Sequence, residues 1–384
     1  MQKILIVAGE PSGDLHASEV VKQIRHKSSA FEFYGMGGEL MEATGVKLIY
    51  HIEDSAVMGI SEVLTAIPRF AQKRAKLKRF LREQRPSVIM LVDFSGFNLN
   101  LAKFAHRLGC PVVYYIPPKA WAWRPSRART VAQTVSAVAA IFPFEADFYR
   151  QAGAPTHFVG HPLLDIVPTT ETVAGARAQL GLDPERPVVG LMPGSRRREV
   201  NPLLPVMREV ANRLCYRFPD CQFVLPLAPG ITISTKPTRS MHQLNDSPFS
   251  ATITTVDSTQ VYTAMRASDL MIIASGTATL EAALVGTPMI IIYKFSALTW
   301  WLSQRLVQLT HSGLPNIIAG EEIVPELLQD QANVERVTTA AEDLLANPEQ
   351  RVTQQQRLAT IRQQLGASGA ATRVADLVLS YTEH

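Results

Sequence analysis

The chain has 384 residues, 46% of them hydrophobic and 19% charged, which suits two domains with sizeable cores rather than a disordered or fibrous protein. A formal net charge of +4 argues against an extended nucleic-acid footprint and leaves room for a local basic patch. Three cysteines without a CxxC pair suit a reducing compartment, and no apolar run approaches the roughly 18 residues that span a bilayer.

Strand and helix signals alternate along the chain, the pattern of an α/β fold with parallel sheets. Residues 4–7 form a first apolar strand, too short for a signal peptide, so the cytoplasm is the expected location. A glycine-bearing turn follows, then helical periodicity over 15–24. Further strands are expected at 31–35, 87–93, 111–116 and 137–142. Composition shifts at Gly160-His161-Pro162, and the polar residues 168–187 read as a hinge with one short helix.

A second α/β set follows, with strands at 188–192, 222–227, 251–256, 270–274 and 288–293 and a helix over 203–218. Residues 231–245 show no periodicity and are expected to be irregular. Helices are expected over 334–345 and 354–380. The predicted domains are therefore 1–167 and 168–345, both Rossmann-like, with residues 346–384 a helical tail that can pack back on the first domain.

Ligands in such sheets sit beyond the carboxyl ends of the strands, so the turns there carry the candidate sites, expected to converge on one cleft. Ser275-Gly276-Thr277-Ala278-Thr279-Leu280-Glu281 joins a buried strand to a helix. Small residues there let backbone N–H groups approach a phosphate, and Glu281 can accept from a ribose diol. Gly194-Ser195-Arg196 opens another helix with a guanidinium suited to a departing diphosphate. Glu10, Ser12 and Asp14 sit on the first turn, where Asp14 can instead cap a helix. Asp93, ending its strand beside Phe94 and Phe97, is a candidate general base with a raised pKa; Asn98 follows. His16, His157 and His161 are rival bases.

Trp121-Ala122-Trp123-Arg124 offers an aromatic wall with Arg124 and Arg127 for a phosphate. His157 and His161 fall on a strand and turn, not one helical face, and no HExxH occurs, so no metal site is expected. Each motif also reads as ordinary packing, capping or a solvated face. Eight Lys/Arg between Arg69 and Arg85 accompany Val63, Ile67, Phe70, Leu77 and Leu81 near one helical face. Such a segment either lies on an anionic membrane or packs its apolar stripe on the first sheet; Pro68 leaves its start open. Phe295 to Leu309, with Trp300-Trp301, is a second membrane candidate.

Taken together and in order, these segments resemble the lipid-A-disaccharide synthases along nearly the whole chain. The resemblance rests on Ala8-Gly9-Glu10 with Ser12-Gly13-Asp14, Met58-Gly59-Ile60 with Glu62-Val63, Trp121-Ala122-Trp123-Arg124 and Phe142-Pro143-Phe144-Glu145. Phe158-Val159-Gly160-His161, Pro193-Gly194-Ser195-Arg196, Ser275-Gly276-Thr277 through Glu281 and Leu314-Pro315-Asn316 complete it. It implies a GT-B fold and an inverting, metal-independent transfer without a cofactor. The donor would be UDP-2,3-diacylglucosamine and the acceptor 2,3-diacylglucosamine 1-phosphate. It further implies peripheral association with the inner membrane and dimers exchanging C-terminal segments, in which Asn316 or Arg196 could serve a partner's site.

By the same resemblance Asp93 is the base. Glu10, Ser12, Asp14, Asn98, Trp123 and Arg124 face the acceptor, while Gly194, Ser195, Arg196, Ser275, Gly276, Thr277, Thr279, Glu281 and Asn316 hold the donor. Two departures stand out: Ser95-Gly96 replaces the family's usual Pro-Asp between Asp93 and Phe97, and Pro117-Pro118-Lys119 precedes the tryptophans in place of a Ser-Pro pair. A non-hydrolysing UDP-sugar epimerase and a UDP-sugar-binding paralogue without turnover are the alternatives.

Overall fold

The computed structural model describes residues 1–52, 60–123, 125–168, 170–228, 230–231, 251–295 and 310–382, with the backbone alone at 60–70 and 123. Arg124, Met58-Gly59, residues 232–245 of the expected irregular segment and Trp300-Trp301 lie outside the described residues, as do the side chains of Glu62, Val63, Ile67, Phe70 and Trp123. The chain forms two units. Unit 1 is Met1–Asp165 with Leu365–His384, and unit 2 is Ile166–Gln364; the expected divisions were at 167/168 and 345/346.

Unit 1 carries seven described strands, β1 (Gln2–Ala8), β2 (Phe31–Gly37), β3 (Lys47–His51), β4 (Val88–Val92), β5 (Val112–Tyr115), β6 (Ala137–Ala140) and β7 (Thr156–Phe158). All pair in parallel, in the order β3-β2-β1-β4-β5-β6-β7. Its helices are α1 (Pro11–Lys27), α2 (Glu39–Ala43), α3 (Ile60–Gln84), α4 (Ser95–Arg107), α5 (Ala120–Trp123), α6 (Ser126–Thr134), α7 (Pro143–Gln151) and α8 (Leu163–Ile166), the last closing at the boundary. Central strands are covered on both faces, which is why β4 is a continuous buried run, Val-Ile-Met-Leu-Val. α3 runs through Pro68 rather than starting after it. Its Leu77 and Leu81 are buried in the core beside Ile89 and Leu91. The described apolar stripe thus packs on unit 1, leaving Lys76, Arg79 and Arg82 exposed while Lys73 is buried.

Unit 2 contains α9 (Val173–Gln179), β8 (Val188–Met192), α10 (Arg197–Arg217), β9 (Gln222–Pro226), β10 (Ile253–Val256), α11 (Val261–Ala267), β11 (Leu270–Ala274), α12 (Thr277–Val285) and β12 (Met289–Tyr293). After them come α13 (Leu314–Ala319), β13 (Glu326–Leu328), α14 (Val334–Ala346) and α15 (Pro348–Gln364). The parallel order is β10-β9-β8-β11-β12-β13. α10 begins at Arg197, six residues before the expected start at 203, and continues through Pro202 and Pro205. Each proline gives up one intrahelical bond, and burial of Leu203, Met207, Val210 and Leu214 holds the helix together.

The expected helix over 354–380 is two helices. α15 packs on α12, α13 and α14, and α16 (Ala370–Leu379) packs on α1 in unit 1. Gly366 (φ +88) and Gly369 (φ +92) are left-handed, a conformation that ends a helix at little cost for glycine. The Asp165 carboxylate then accepts the N–H groups of Gly369 at 2.6 Å and Ala370 at 3.1 Å, restarting the chain as α16.

In both sheets the strand order reverses once: between β1 and β4 in unit 1, and between β8 and β11 in unit 2. The crevice at such a reversal, beyond the carboxyl ends, is where open α/β sheets bind ligands.

Candidate active site

In unit 2, β8 ends at Met192 and β11 at Ala274, and a cavity of about 410 Å³ opens between them. Among the expected donor residues, Gly194, Ser195, Arg196, Ser275, Gly276, Thr277 and Glu281 line it. Gly276 precedes α12, and a side chain there would meet nothing within 4 Å, so the backbone itself faces the opening. The α12 N-terminus presents unpaired N–H groups to whatever enters, a setting that favours a phosphate.

Gly194 has φ +112, and a Cβ on it would lie 2.7 Å from Glu199; both facts demand glycine. Glu199 is the turn's organiser. Its carboxylate accepts the Ser195 N–H at 3.2 Å and approaches an Arg196 guanidinium nitrogen at 3.4 Å. Its position three residues after the N-cap Arg196 is the spacing at which a glutamate reaches back over a helix start, a signal present in the sequence and left unassigned there. Glu281 accepts the Tyr262 hydroxyl at 2.9 Å. Burial raises the Glu281 carboxyl, and the Tyr262 bond opposes that rise.

Two expected donor residues are placed otherwise. Thr279 is fully buried and its hydroxyl donates to the Gly276 carbonyl at 2.7 Å, bracing the turn from behind. Asn316 is fully buried as well. Its amide nitrogen donates to the Val324 carbonyl and to Glu326, and its oxygen accepts from the Ile323 and Val324 N–H groups. That spends its hydrogen-bonding capacity within unit 2. Glu326, unforeseen from sequence, also accepts the N–H groups of Ser312 at 2.7 Å and Gly313 at 3.0 Å. Ser312 in turn holds Ser275 Oγ through its carbonyl at 3.1 Å and its hydroxyl at 3.0 Å. Asn316 and Glu326 thus shape the cavity through Ser312 and Ser275.

In unit 1, β1 and β4 end side by side, with Ala8 opposite Val92. Beyond them Asp93 (φ +45) and Phe94 (φ +47) are both left-handed, a costly conformation for residues with side chains. It is held by three bonds: the Asp93 carbonyl accepts from Asn98 Nδ2 at 2.9 Å and from the Tyr114 hydroxyl at 2.9 Å, and its N–H donates to the Tyr115 carbonyl at 3.1 Å. The Phe94 ring then lies on Gly9, where a Cβ would fall 2.2 Å from it. Burial raises the Asp93 carboxyl, and the Lys119 ammonium partly opposes the rise.

The remaining unit 1 candidates fall into two groups. Glu10, at the N-cap of α1, and Ser12 are exposed near the reversal. Asp14 is turned away and buried, accepting the N–H groups of Gly38 at 2.6 Å, Leu40 at 3.1 Å and Met41 at 3.2 Å. It therefore caps α2, not its own helix. Asn98 is buried behind Asp93, and a side chain at Gly96 would meet nothing within 4 Å. The rival bases are pushed toward neutrality by burial, His16 to about 4 and His161 to about 3. His161 Nδ1 accepts the Leu163 N–H at 3.2 Å, while His157 is exposed on β7. Glu145, also unassigned from sequence, is buried, accepts Trp121 Nε1–H at 3.2 Å, and is pushed up to about 7 by desolvation.

Two doubly wound parallel-sheet units, each with one strand-order reversal and one of them opening a cavity of about 410 Å³ there, define a GT-B-type fold. Solved structures of the same fold include UDP-GlcNAc 2-epimerase from Neisseria meningitidis bound to UDP-GlcNAc (12% identical, TM-score 0.63, covering 98% of this chain and 100% of that one). Another is MurG of Acinetobacter baumannii (15% identical, TM-score 0.58, covering 98% and 99%). A family model described as lipid-A-disaccharide synthetase matches residues 4–376. Relatives named lipid-A-disaccharide synthase are 43% identical in Trichlorobacter lovleyi, covering 100% of this chain and 98% of the relative. In Geobacter sulfurreducens the figure is 42%, covering 98% and 96%. The chain belongs to the lipid-A-disaccharide synthase family. Its likeness to the epimerases is one of fold, and the full-length family match favours the transferase.

Proposed function

We propose that the chain condenses a UDP-linked 2,3-diacylglucosamine with 2,3-diacylglucosamine 1-phosphate, giving the β-1,6-linked disaccharide 1-phosphate and UDP. Unit 1 supplies the base and unit 2 the leaving-group seat. Asp93 takes the proton of the acceptor's 6-hydroxyl, the oxygen forms its bond to the donor's anomeric carbon, and the bond from that carbon to UDP breaks with inversion. The departing diphosphate's charge falls to the backbone N–H groups at the start of α12 and to Arg196, while Glu281 accepts from the uridine ribose.

The observation that carries the base assignment is the carboxyl at the β1/β4 reversal, raised by burial and fixed by a backbone that side chains seldom adopt. A carboxylate whose pKa is raised is better matched to a hydroxyl proton. The reaction is tested by UDP release in detergent micelles, with and without the phosphorylated acceptor. UDP and disaccharide formed only with the acceptor are expected; UDP release that ignores the acceptor would overturn the reading.

No helix among the described residues is long and apolar enough to cross a membrane. The reading adds peripheral association through the outer face of α3. Lys76, over the Tyr50 ring, and Arg82, over Phe104, are exposed there, whereas Lys73 is buried against Tyr50 and Lys78 is half-buried over Phe104. Lys78 is lowered first by desolvation and then by the neighbouring charges of Arg74 and Arg107. Co-sedimentation with anionic vesicles that falls as salt rises is expected, and binding indifferent to both would defeat it. A dimer by exchange would carry α16 onto a partner's α1, which sedimentation of the full chain tests.

A further inference from the structure

The loop after β5 carries a cation that the chemistry above leaves unused. Val92 stands opposite Tyr115 in register, and the Asp93 N–H donates to the Tyr115 carbonyl, so this loop leaves the sheet beside Asp93. It is a stiff loop. Ile116 is left-handed (φ +54), Pro117 and Pro118 follow and are buried, and the Pro118 carbonyl accepts from the Tyr149 hydroxyl. Three residues on, Trp121 is tied to Glu145 on α7.

Between these two anchors sits Lys119, exposed. Its ammonium makes no hydrogen bond or ion pair among the described residues. Its charge acts on Asp93, Glu145 and His161, groups on three separate segments, in keeping with its place on the loop that leaves the carboxyl edge of the sheet beside Asp93. The flexible four-carbon stem of a lysine is a point charge that can reach across one sugar ring. That ring is what separates an acceptor's 6-hydroxyl from its anomeric phosphate.

We propose that Lys119 is the subsite for the acceptor's phosphate monoester, pairing with it while Asp93 faces the hydroxyl at the other end of the same sugar. This rests on the transfer reaction proposed above. The unspent ammonium also separates the phosphate's charge from that of the base. The donor's diphosphate shares this chemistry, so the two sources have to be told apart by experiment.

Lys119→Gln and Lys119→Arg are assayed with the phosphorylated acceptor and with phosphate-free 2,3-diacylglucosamine, titrating donor and acceptor separately. In Lys119→Gln the KM for the phosphorylated acceptor is expected to rise about ten- to hundredfold, the worth of one charge-assisted bond. The donor KM should stay as it was, and Lys119→Arg should recover part of the loss. With the phosphate-free acceptor, wild type and Lys119→Gln should behave alike. An equal effect on both acceptors overturns the proposal, and a rise in donor KM instead assigns the charge to the diphosphate and overturns it too. Should wild type release no acceptor-dependent UDP, the reaction itself fails. Equilibrium binding of the two acceptors to wild type and Lys119→Gln in the same micelles then still decides Lys119: tighter binding of the phosphorylated form that vanishes in the variant supports it, and binding blind to phosphate overturns it.

Discussion

The two sheet reversals share one topology and solve different electrostatic problems. Around the first, ionisable groups are buried and displaced from their ordinary range: Asp93 raised, Glu145 up to about 7, His16 down to about 4 and His161 to about 3. Around the second, the Arg196 side chain is 62% exposed, and the cavity is shaped by hydrogen bonds already made, through Glu199, Glu326, Ser312 and Thr279. A site that moves a proton needs a group that changes charge near working pH. A site that holds a diphosphate needs fixed donors that change nothing. Glu281 and the Tyr262 that bonds to it are exceptions on the second side, since burial raises both.

Replacing Asp93 by Asn tests the first half of this contrast most severely. Turnover should fall about 10²- to 10⁴-fold while UDP binding, a property of the other unit, is untouched. Wild-type kcat/KM should lose activity as pH falls through the raised Asp93 pKa, because the base works only when ionised. Unchanged turnover in Asp93→Asn would remove Asp93 from the chemistry.

Glu145 makes the same point through stability. Folded, it binds its proton up to about pH 7, against 4.5 in the unfolded chain, so the folded state holds the extra proton between those values. The stabilisation is complete below 4.5 and is lost as pH rises through about 7. Glu145→Gln has no such dependence. Its stability relative to wild type should therefore improve by about 2–3 kcal/mol between pH 4.5 and pH 8, read from denaturation of both proteins at each pH. A gap that does not move with pH would mean the carboxyl titrates normally.

Much of this contrast was legible in sequence, and the reason is local. Buried central strands are unbroken apolar runs, so β4 and β11 announce themselves, and the residues just beyond, Asp93 and Ser275 to Glu281, follow by position. β3 and β13, only half-buried edge strands, carry no such run. Other residues were legible as chemistry but not as placement. Asp14 finds its N–H partners more than twenty residues away in α2, and Asn316 finds its own beyond α13. A short polar side chain in a glycine turn looks the same in sequence whether it meets a ligand or a distant backbone. Glu326 offered no motif at all, because its role exists only once β13 pairs with β12 and brings it to Ser312.

On the second side, Glu326→Gln should raise the donor KM about tenfold, since an amide cannot accept from the Ser312, Gly313 and Asn316 donors together. The acceptor KM should hold steady. A change in kcat alone, with both KM values intact, would mean that Ser312 does not shape the donor seat.

The smallest effect is the most specific. Tyr262→Phe removes one hydroxyl from the Glu281 carboxylate and leaves the ring's packing in place. The bond favours the ionised form, which burial already disfavours, so without it the carboxyl rises further. A ribose diol donates two bonds and needs the ionised acceptor. The donor KM should therefore rise a few-fold, more at pH 6 than at pH 8, with kcat at saturating donor unchanged. A merely structural loss would weaken donor binding equally at both pH values. Equal weakening would leave Tyr262 a packing residue and move the ribose contact away from Glu281, whereas the pH-dependent rise would show one titrating group working inside an otherwise fixed seat.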